Sequence, residues 1–145
     1  MLKVGIIGYG KMGKSRYREV IASGKAEVVS VFDSVKIETD IPCAATADEI
    51  TEDSTIDAVF ICTPNFLNRH LTIQALKAGK HVFCEKPPAF TAAEVEEIQA
   101  VEKVSGKVLM YGFNHRHHES VQRMKDIVSS RDFGRVLWMR GRYGK

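Results

Sequence analysis

Short apolar runs alternate along this chain with stretches whose apolar residues recur every three or four positions. Lys3-Val4-Gly5-Ile6-Ile7 predicts a buried strand. Lys11 to Ser23 predicts a helix with Met12, Tyr17, Val20 and Ile21 on one face and Gly24 as its stop. Glu27 to Phe32 predicts a second strand. Residues 34–56 carry a weaker pattern, enough for a short strand near Pro42-Cys43-Ala44 and a helical turn at Ala47-Asp48-Glu49-Ile50. Asp57-Ala58-Val59-Phe60-Ile61-Cys62 is almost continuously apolar, as expected of a parallel strand covered on both faces. A helix around residues 66–77 ends at Gly79, and His81-Val82-Phe83-Cys84 is the next strand. Thr91-Ala92-Ala93-Glu94 predicts a capping box, opening a helix that shows Val95, Ile98 and Val101 and stops before Gly106. Lys107 to Tyr111 predicts a strand, Val121, Met124, Ile127 and Val128 a last helix, and Val136-Leu137-Trp138-Met139 a last strand.

Strand and helix alternating at this spacing predict an α/β fold, a doubly wound and mostly parallel sheet with helices on both faces. The ends of the strands are then where chemistry is expected. The 145 residues, 44% of them apolar, suit one globular domain and are too few for two full ones. No apolar run approaches the roughly 18 residues of a membrane span. Met1-Leu2-Lys3-Val4-Gly5 lacks the layout of a signal peptide, so neither a leader nor a membrane partner is expected. Cys43, Cys62 and Cys84 fit no paired motif, and the latter two end apolar runs, which suggests a reducing compartment, the cytoplasm. Charge is uneven: residues 1–115 carry 13 basic and 15 acidic side chains, residues 116–145 carry 8 and 3. A basic tail suits nucleic acid or an anionic substrate, but a solvated surface explains it as well.

Gly8-Tyr9-Gly10-Lys11-Met12-Gly13 has the spacing GxGxxG, follows a strand and opens a helix. Gly8 allows a tight turn, Gly10 lets a pyrophosphate approach the backbone, and Gly13 lets helix and strand pack closely. Unpaired amides at the helix start would face the anion. Asp33, with Ser34 beside it, ends the second strand 20 residues beyond Gly13. A carboxylate there accepts both ribose hydroxyls of an adenosine and repels a 2′-phosphate, and no arginine follows it. NAD is therefore expected over NADP, although Lys36 is within reach of a phosphate.

Two further strand ends carry unusual chemistry: Thr63-Pro64-Asn65 after Cys62, and Glu85-Lys86-Pro87-Pro88 after Cys84. With the glycine loop and Ala78-Gly79-Lys80-His81-Val82, they resemble the glucose–fructose oxidoreductase / inositol dehydrogenase (Gfo/Idh/MocA) family from Lys3 to about Tyr143. The resemblance implies a Rossmann domain of a dehydrogenase that moves a hydride between NAD and a hydroxyl of a sugar, polyol or nucleotide sugar. It implies that Lys86 sits near the nicotinamide and the reacting hydroxyl, as the catalytic residue. Glu85 and Pro87 would hold the cofactor end, while Thr63, Pro64 and Asn65 line the cofactor. Asn114 and Arg116 match the family's asparagine-x-arginine stretch, implying cofactor and substrate contacts respectively. A lysine beside oxidised nicotinamide shares space with another positive charge, which suits it to proton handling.

Three departures qualify the resemblance. Asn68 stands where the family usually has histidine, with His70 out of register; an asparagine can still hydrogen-bond at the cofactor site or cap the helix. The stretch from Asp33 to Asp57 is short, so a helix on that face should be reduced and the adenine edge open. Residues 1–133 read as the NAD(P)-binding domain and 134–145 as the opening segment of a truncated C-terminal substrate domain. The family's substrate domain, an open antiparallel sheet with helices, is then absent and little turnover is expected. The other readings are a stand-alone, non-catalytic NAD-binding module and a methyltransferase, which would favour an acidic or asparagine-proline-proline end on the fourth strand. Nucleic-acid binding through Arg140-Gly141-Arg142-Tyr143-Gly144 rests on one short copy, and a metal site at His115, His117 and His118 fits no common zinc spacing. Neither a nucleic-acid partner nor a metal is expected. An exposed Val136–Met139 edge predicts homo-oligomerisation.

Overall fold

The computed structural model describes residues 1–142. They form two compact units, one over Met1–Gly112 and one from Phe113 onward. The first contains β1 (Leu2–Ile7), α1 (Lys11–Ala22), β2 (Ala26–Phe32), α2 (Ala47–Glu52), β3 (Ala58–Ile61), α3 (Asn65–Lys77), β4 (His81–Cys84), α4 (Ala92–Ser105) and β5 (Leu109–Tyr111). All five strands are parallel, in the order β2-β1-β3-β4-β5. From β1 the chain winds first to β2 and then back across to β3. The strand order therefore reverses between β1 and β3, and the crevice above that pair is where an open α/β sheet takes its ligand.

Adjacent residues of each strand serve opposite faces. Ile7, Val59, Ile61, Val82 and Cys84 pack with Ile50 of α2 and Leu71, Ala75 and Leu76 of α3. Val4, Ile6 and Val31 pack with Tyr9 and with Val20 of α1. Gly5 makes room for α2, because a Cβ there would lie 2.4 Å from Ile50 Cγ2. Lys80 is buried, and its ammonium donates to the carbonyls of Asp53 and Ile56, closing the chain that leaves α2. The predicted capping box is present: Thr91 Oγ1 accepts from Glu94 N–H, and the Glu94 carboxylate accepts from Thr91 N–H at 3.0 Å. No helix of the described residues is long and apolar enough to cross a membrane.

Three expectations change. The strand near Cys43 is a single bridge to Val31, and α2 is only six residues long, so the outer edge of β2 is thinly covered. On α1, Tyr17 and Val20 turn inward as predicted but Met12 and Ile21 are exposed. Periodicity identifies a helix face; it does not supply enough neighbouring surface to cover every residue on it. Val136–Met139 forms no strand among the described residues: it is irregular and exposed, with Trp138 77% accessible. A β-rich run needs a ladder partner before it becomes a strand. The predicted edge that would pair copies is therefore not formed there, and Tyr143 and Gly144 of the same stretch lie outside the described residues. The second unit otherwise holds a 3₁₀ turn, Asn114–His117, and α5 (Glu119–Ser130), whose Met124, Ile127 and Val128 are exposed.

Candidate dinucleotide site

The three glycines of the first turn are needed for three different reasons. Gly8 has φ +90°, and a Cβ there would lie 2.6 Å from the Cys62 carbonyl oxygen, so β1 and β3 approach too closely for any side chain. At Gly13 an added Cβ would sit 2.1 Å from the Gly8 carbonyl oxygen, which locks α1 against the turn. At Gly10 it would meet nothing within 4 Å. That open space lies at the N-terminus of α1, where no side chain caps the helix. The amides of Lys11, Met12 and Gly13 have no intrahelical carbonyl to bind, so donors and the positive end of the helix dipole face the same opening. This fits the pyrophosphate of a dinucleotide.

Tyr9 contributes differently from its neighbours. Its ring is buried against the α1 face and meets Tyr17 edge-on, and burial raises its hydroxyl pKa. Its N–H donates to Asp33 Oδ2 at 2.7 Å. Asp33 Oδ1 accepts from Val35 N–H at 3.2 Å, so one carboxylate joins the end of β2 to the glycine turn. Beside it lies a cavity of about 260 Å³ whose lining includes Asp33, Ser34, Val35, Lys36 and Ile37. The segment after β2 carries only the six-residue α2, the reduced helix expected on that face.

Across the sheet, Thr63 is half-buried at the end of β3, while Pro64 and Asn65 are exposed where α3 begins. Asn68 does not cap α3, whose cap is Pro64. It is 0% exposed, accepts from Thr63 Oγ1–H at 3.3 Å, and donates to the carbonyls of Glu85 at 3.0 Å and Pro87 at 2.8 Å. Asn68 therefore lies beneath the site and holds the turn after β4. Asn68→Leu, which keeps the branching of the side chain but lacks the amide and is larger, should leave both carbonyls unpaired and cost about 2–4 kcal/mol, read by urea unfolding. A loss under about 0.5 kcal/mol, the scale of an ordinary surface substitution, would remove that role.

The turn that Asn68 holds carries Lys86, whose side chain is exposed, and a cis peptide between Lys86 and Pro87. Glu85 is buried and ion-paired with Arg16 of α1, a partner that no local pattern announced. Burial first, and then the Glu85 carboxylate, push the Cys62 thiol up to about 12, so it stays protonated and is no nucleophile. Cys84, also raised to about 12 by burial, is equally inert. Asn114 and Arg116 lie on the 3₁₀ turn of the second unit. Among the described residues, no group of three or more His, Cys, Asp or Glu side chains is placed to hold a metal.

Residues 2–113 match the family described as an oxidoreductase family with an NAD-binding Rossmann fold. Inositol 2-dehydrogenase of Salmonella typhimurium is 32% identical over 154 residues, covering 98% of this chain and 46% of that enzyme. An NAD-binding protein from Listeria innocua superposes with a TM-score of 0.81 at 31% identity, covering 92% of this chain and 42% of that one. Biliverdin reductase from Synechocystis, solved with biliverdin and NADP⁺, superposes at 0.79 and 25% identity, over 88% of this chain and 43% of that one. The chain thus spans less than half the length of these relatives. The glycine turn above the β1–β3 crevice, the acidic end of β2 and the match over residues 2–113 agree: the chain belongs to the Gfo/Idh/MocA oxidoreductases and carries their NAD(P)-binding Rossmann domain.

Proposed function

We propose that this domain binds NAD in preference to NADP. In the whole protein it would present NAD for hydride exchange with a hydroxyl of a sugar, polyol or nucleotide sugar. Asp33 carries the cofactor choice. Its carboxylate, at the end of β2 and beside the open cavity, suits two ribose hydroxyls and opposes a 2′-phosphate. The Synechocystis relative was solved with NADP⁺, and Lys36 lines the cavity here, so the charge balance around Asp33 decides the matter.

Bound nicotinamide supplies the hydride acceptor or donor. Ser34 adds a hydroxyl at the adenosine end, and Thr63, Pro64 and Asn65 line the crossing to the nicotinamide end. Glu85 and Pro87 frame Lys86, whose neutral amine would accept the substrate hydroxyl proton in the oxidising direction and whose ammonium would return it in the reverse direction. For Asn114 and Arg116 we keep the roles that the family resemblance implies, a cofactor contact and a substrate contact. Closure of the site against water, and with it turnover, belongs to a substrate domain. The three free thiols support a reducing compartment, the cytoplasm. Self-association, if it involves Val136–Met139, would use their exposed apolar side chains and not a strand edge.

Calorimetric titration of the purified chain tests the cofactor assignment. NADH should bind with at least about tenfold higher affinity than NADPH, the scale of one unfavourable charge contact. Equal affinities would overturn the choice of NAD. Failure to bind either would overturn the assignment of a working cofactor site to this chain alone.

A further inference from the structure

Glu85 closes β4 with a carboxylate held on several sides. Arg16, from the second turn of α1, donates from Nε to Glu85 Oε1 at 2.8 Å, and its Nη2 lies 2.6 Å from the same oxygen. The guanidinium carbon is 4.9 Å from the centroid of the Phe83 ring. Gly112, at the end of β5, closes another side: a Cβ there would come within 2.8 Å of Glu85 Oε2. The paired side chains are only 16% and 12% exposed, so water screens them weakly. A planar fork that reaches a carboxylate while lying on an aromatic ring is arginine chemistry, which lysine does not reproduce.

We propose that Arg16 is a positioning residue that fixes Glu85 and cancels its charge at the nicotinamide end of the site. The inference rests on the dinucleotide reading above. In that reading Asp33 takes the adenosine half over β2, and the sheet order directs the other half toward β3 and β4, where Glu85 ends its strand. Oxidised nicotinamide carries a positive charge on its ring and the reduced ring carries none. An unpaired carboxylate beside it favours the oxidised form; an ion pair treats both more evenly. Arg16 therefore sets the relative affinity for the two redox forms, beyond any part it has in packing.

The test is the ratio of the Kd for NADH to the Kd for NAD⁺, measured by calorimetry on the full chain. In Arg16→Met the ratio should rise about tenfold, the scale of one uncompensated charge acting over several ångströms near a protein surface. In Glu85→Gln, which removes the negative charge facing the Arg16 guanidinium, it should fall by a similar factor. Combining the two substitutions should return it toward the original value, and Arg16→Lys should return it in part. A packing role alone moves both Kd values together and leaves the ratio in place; that result overturns the proposal. So does a ratio that shifts in the same direction in Arg16→Met and Glu85→Gln. If Arg16→Met does not fold, the Glu85→Gln and Arg16→Lys ratios still decide the matter. ADP-ribose, which lacks the nicotinamide, separates the two levels. Unsubstituted chain that binds no ADP-ribose overturns the dinucleotide reading itself; chain that binds it but shows no ratio shift overturns only the role of Arg16.

Discussion

Gly13→Ala is expected to destabilise the domain severely, whereas Gly10→Ala should leave it stable and unable to hold a dinucleotide tightly. The two glycines are three residues apart and the added atom is the same. At Gly13 the new Cβ would lie 2.1 Å from the Gly8 carbonyl oxygen, well inside contact distance, and its neighbour is backbone. Either α1 moves off the sheet or the Gly8 turn opens. Both release the packing of Val20 on Val4, Ile6 and Val31. Overpacking of this kind costs about 3 kcal/mol or more, a large part of the ~5–15 kcal/mol that holds an ordinary domain together. Gly8→Ala should behave alike, through its positive φ and its 2.6 Å approach to the Cys62 carbonyl. Gly10 has a negative φ of −71°, with ψ −157° at the margin of the extended region, and nothing stands within 4 Å. Its melting temperature should stay within about 2 °C, since a compatible Gly→Ala change is neutral or slightly stabilising. The methyl group instead occupies the space through which an anion reaches the α1 amides, and NADH affinity should fall at least about tenfold by titration. NADH binding to Gly10→Ala with unchanged affinity would mean that the pyrophosphate does not pass over this turn.

The contrast also shows where the sequence was informative. GxGxxG between a strand and a helix identifies the turn because each glycine answers to something a few residues or one strand away. The apolar runs at Ile6-Ile7, Val59–Ile61 and Val82–Cys84 were legible for a related reason. A parallel strand covered on both faces needs apolar residues throughout, and α1 and α3 supply the cover. The Thr91–Glu94 box is complete within four residues and formed as predicted.

Long-range pairs were not legible. Arg16 meets Glu85 across 69 positions, and Lys80 reaches carbonyls that precede it by 24 and 27. The place of Asn68 after Thr63-Pro64-Asn65 points to the cofactor and says nothing of its partners within the fold. Its amide nitrogen donates to the backbone of Glu85 and Pro87, contacts that exist only once β3 and β4 are side by side. Val136–Met139 erred in the opposite sense. Its residues favour a strand, but among the described residues no neighbour offers it a ladder.

Asp33→Ala should lower NADH affinity by about 10- to 100-fold, the scale of one or two hydrogen bonds to a charged acceptor. The preference for NADH over NADPH should shrink by about tenfold or more. Two effects combine in that single change. The carboxylate would no longer accept from ribose hydroxyls, and the Tyr9 N–H, now 2.7 Å from Oδ2, would lose the partner that ties the glycine turn to β2. Asp33→Asn separates them. Its side-chain carbonyl can still accept from Tyr9 N–H, so the turn should keep its shape while the negative charge is gone. NADPH affinity should then rise, because Lys36 lines the same cavity and would meet a 2′-phosphate without a competing carboxylate. If charge selects the cofactor, Asp33→Asn should erode the NADH preference as far as Asp33→Ala does while losing less absolute NADH affinity. If Asp33→Asn keeps the full preference, the fit of the turn and cavity around the ribose selects the cofactor, and the charge of Asp33 does not.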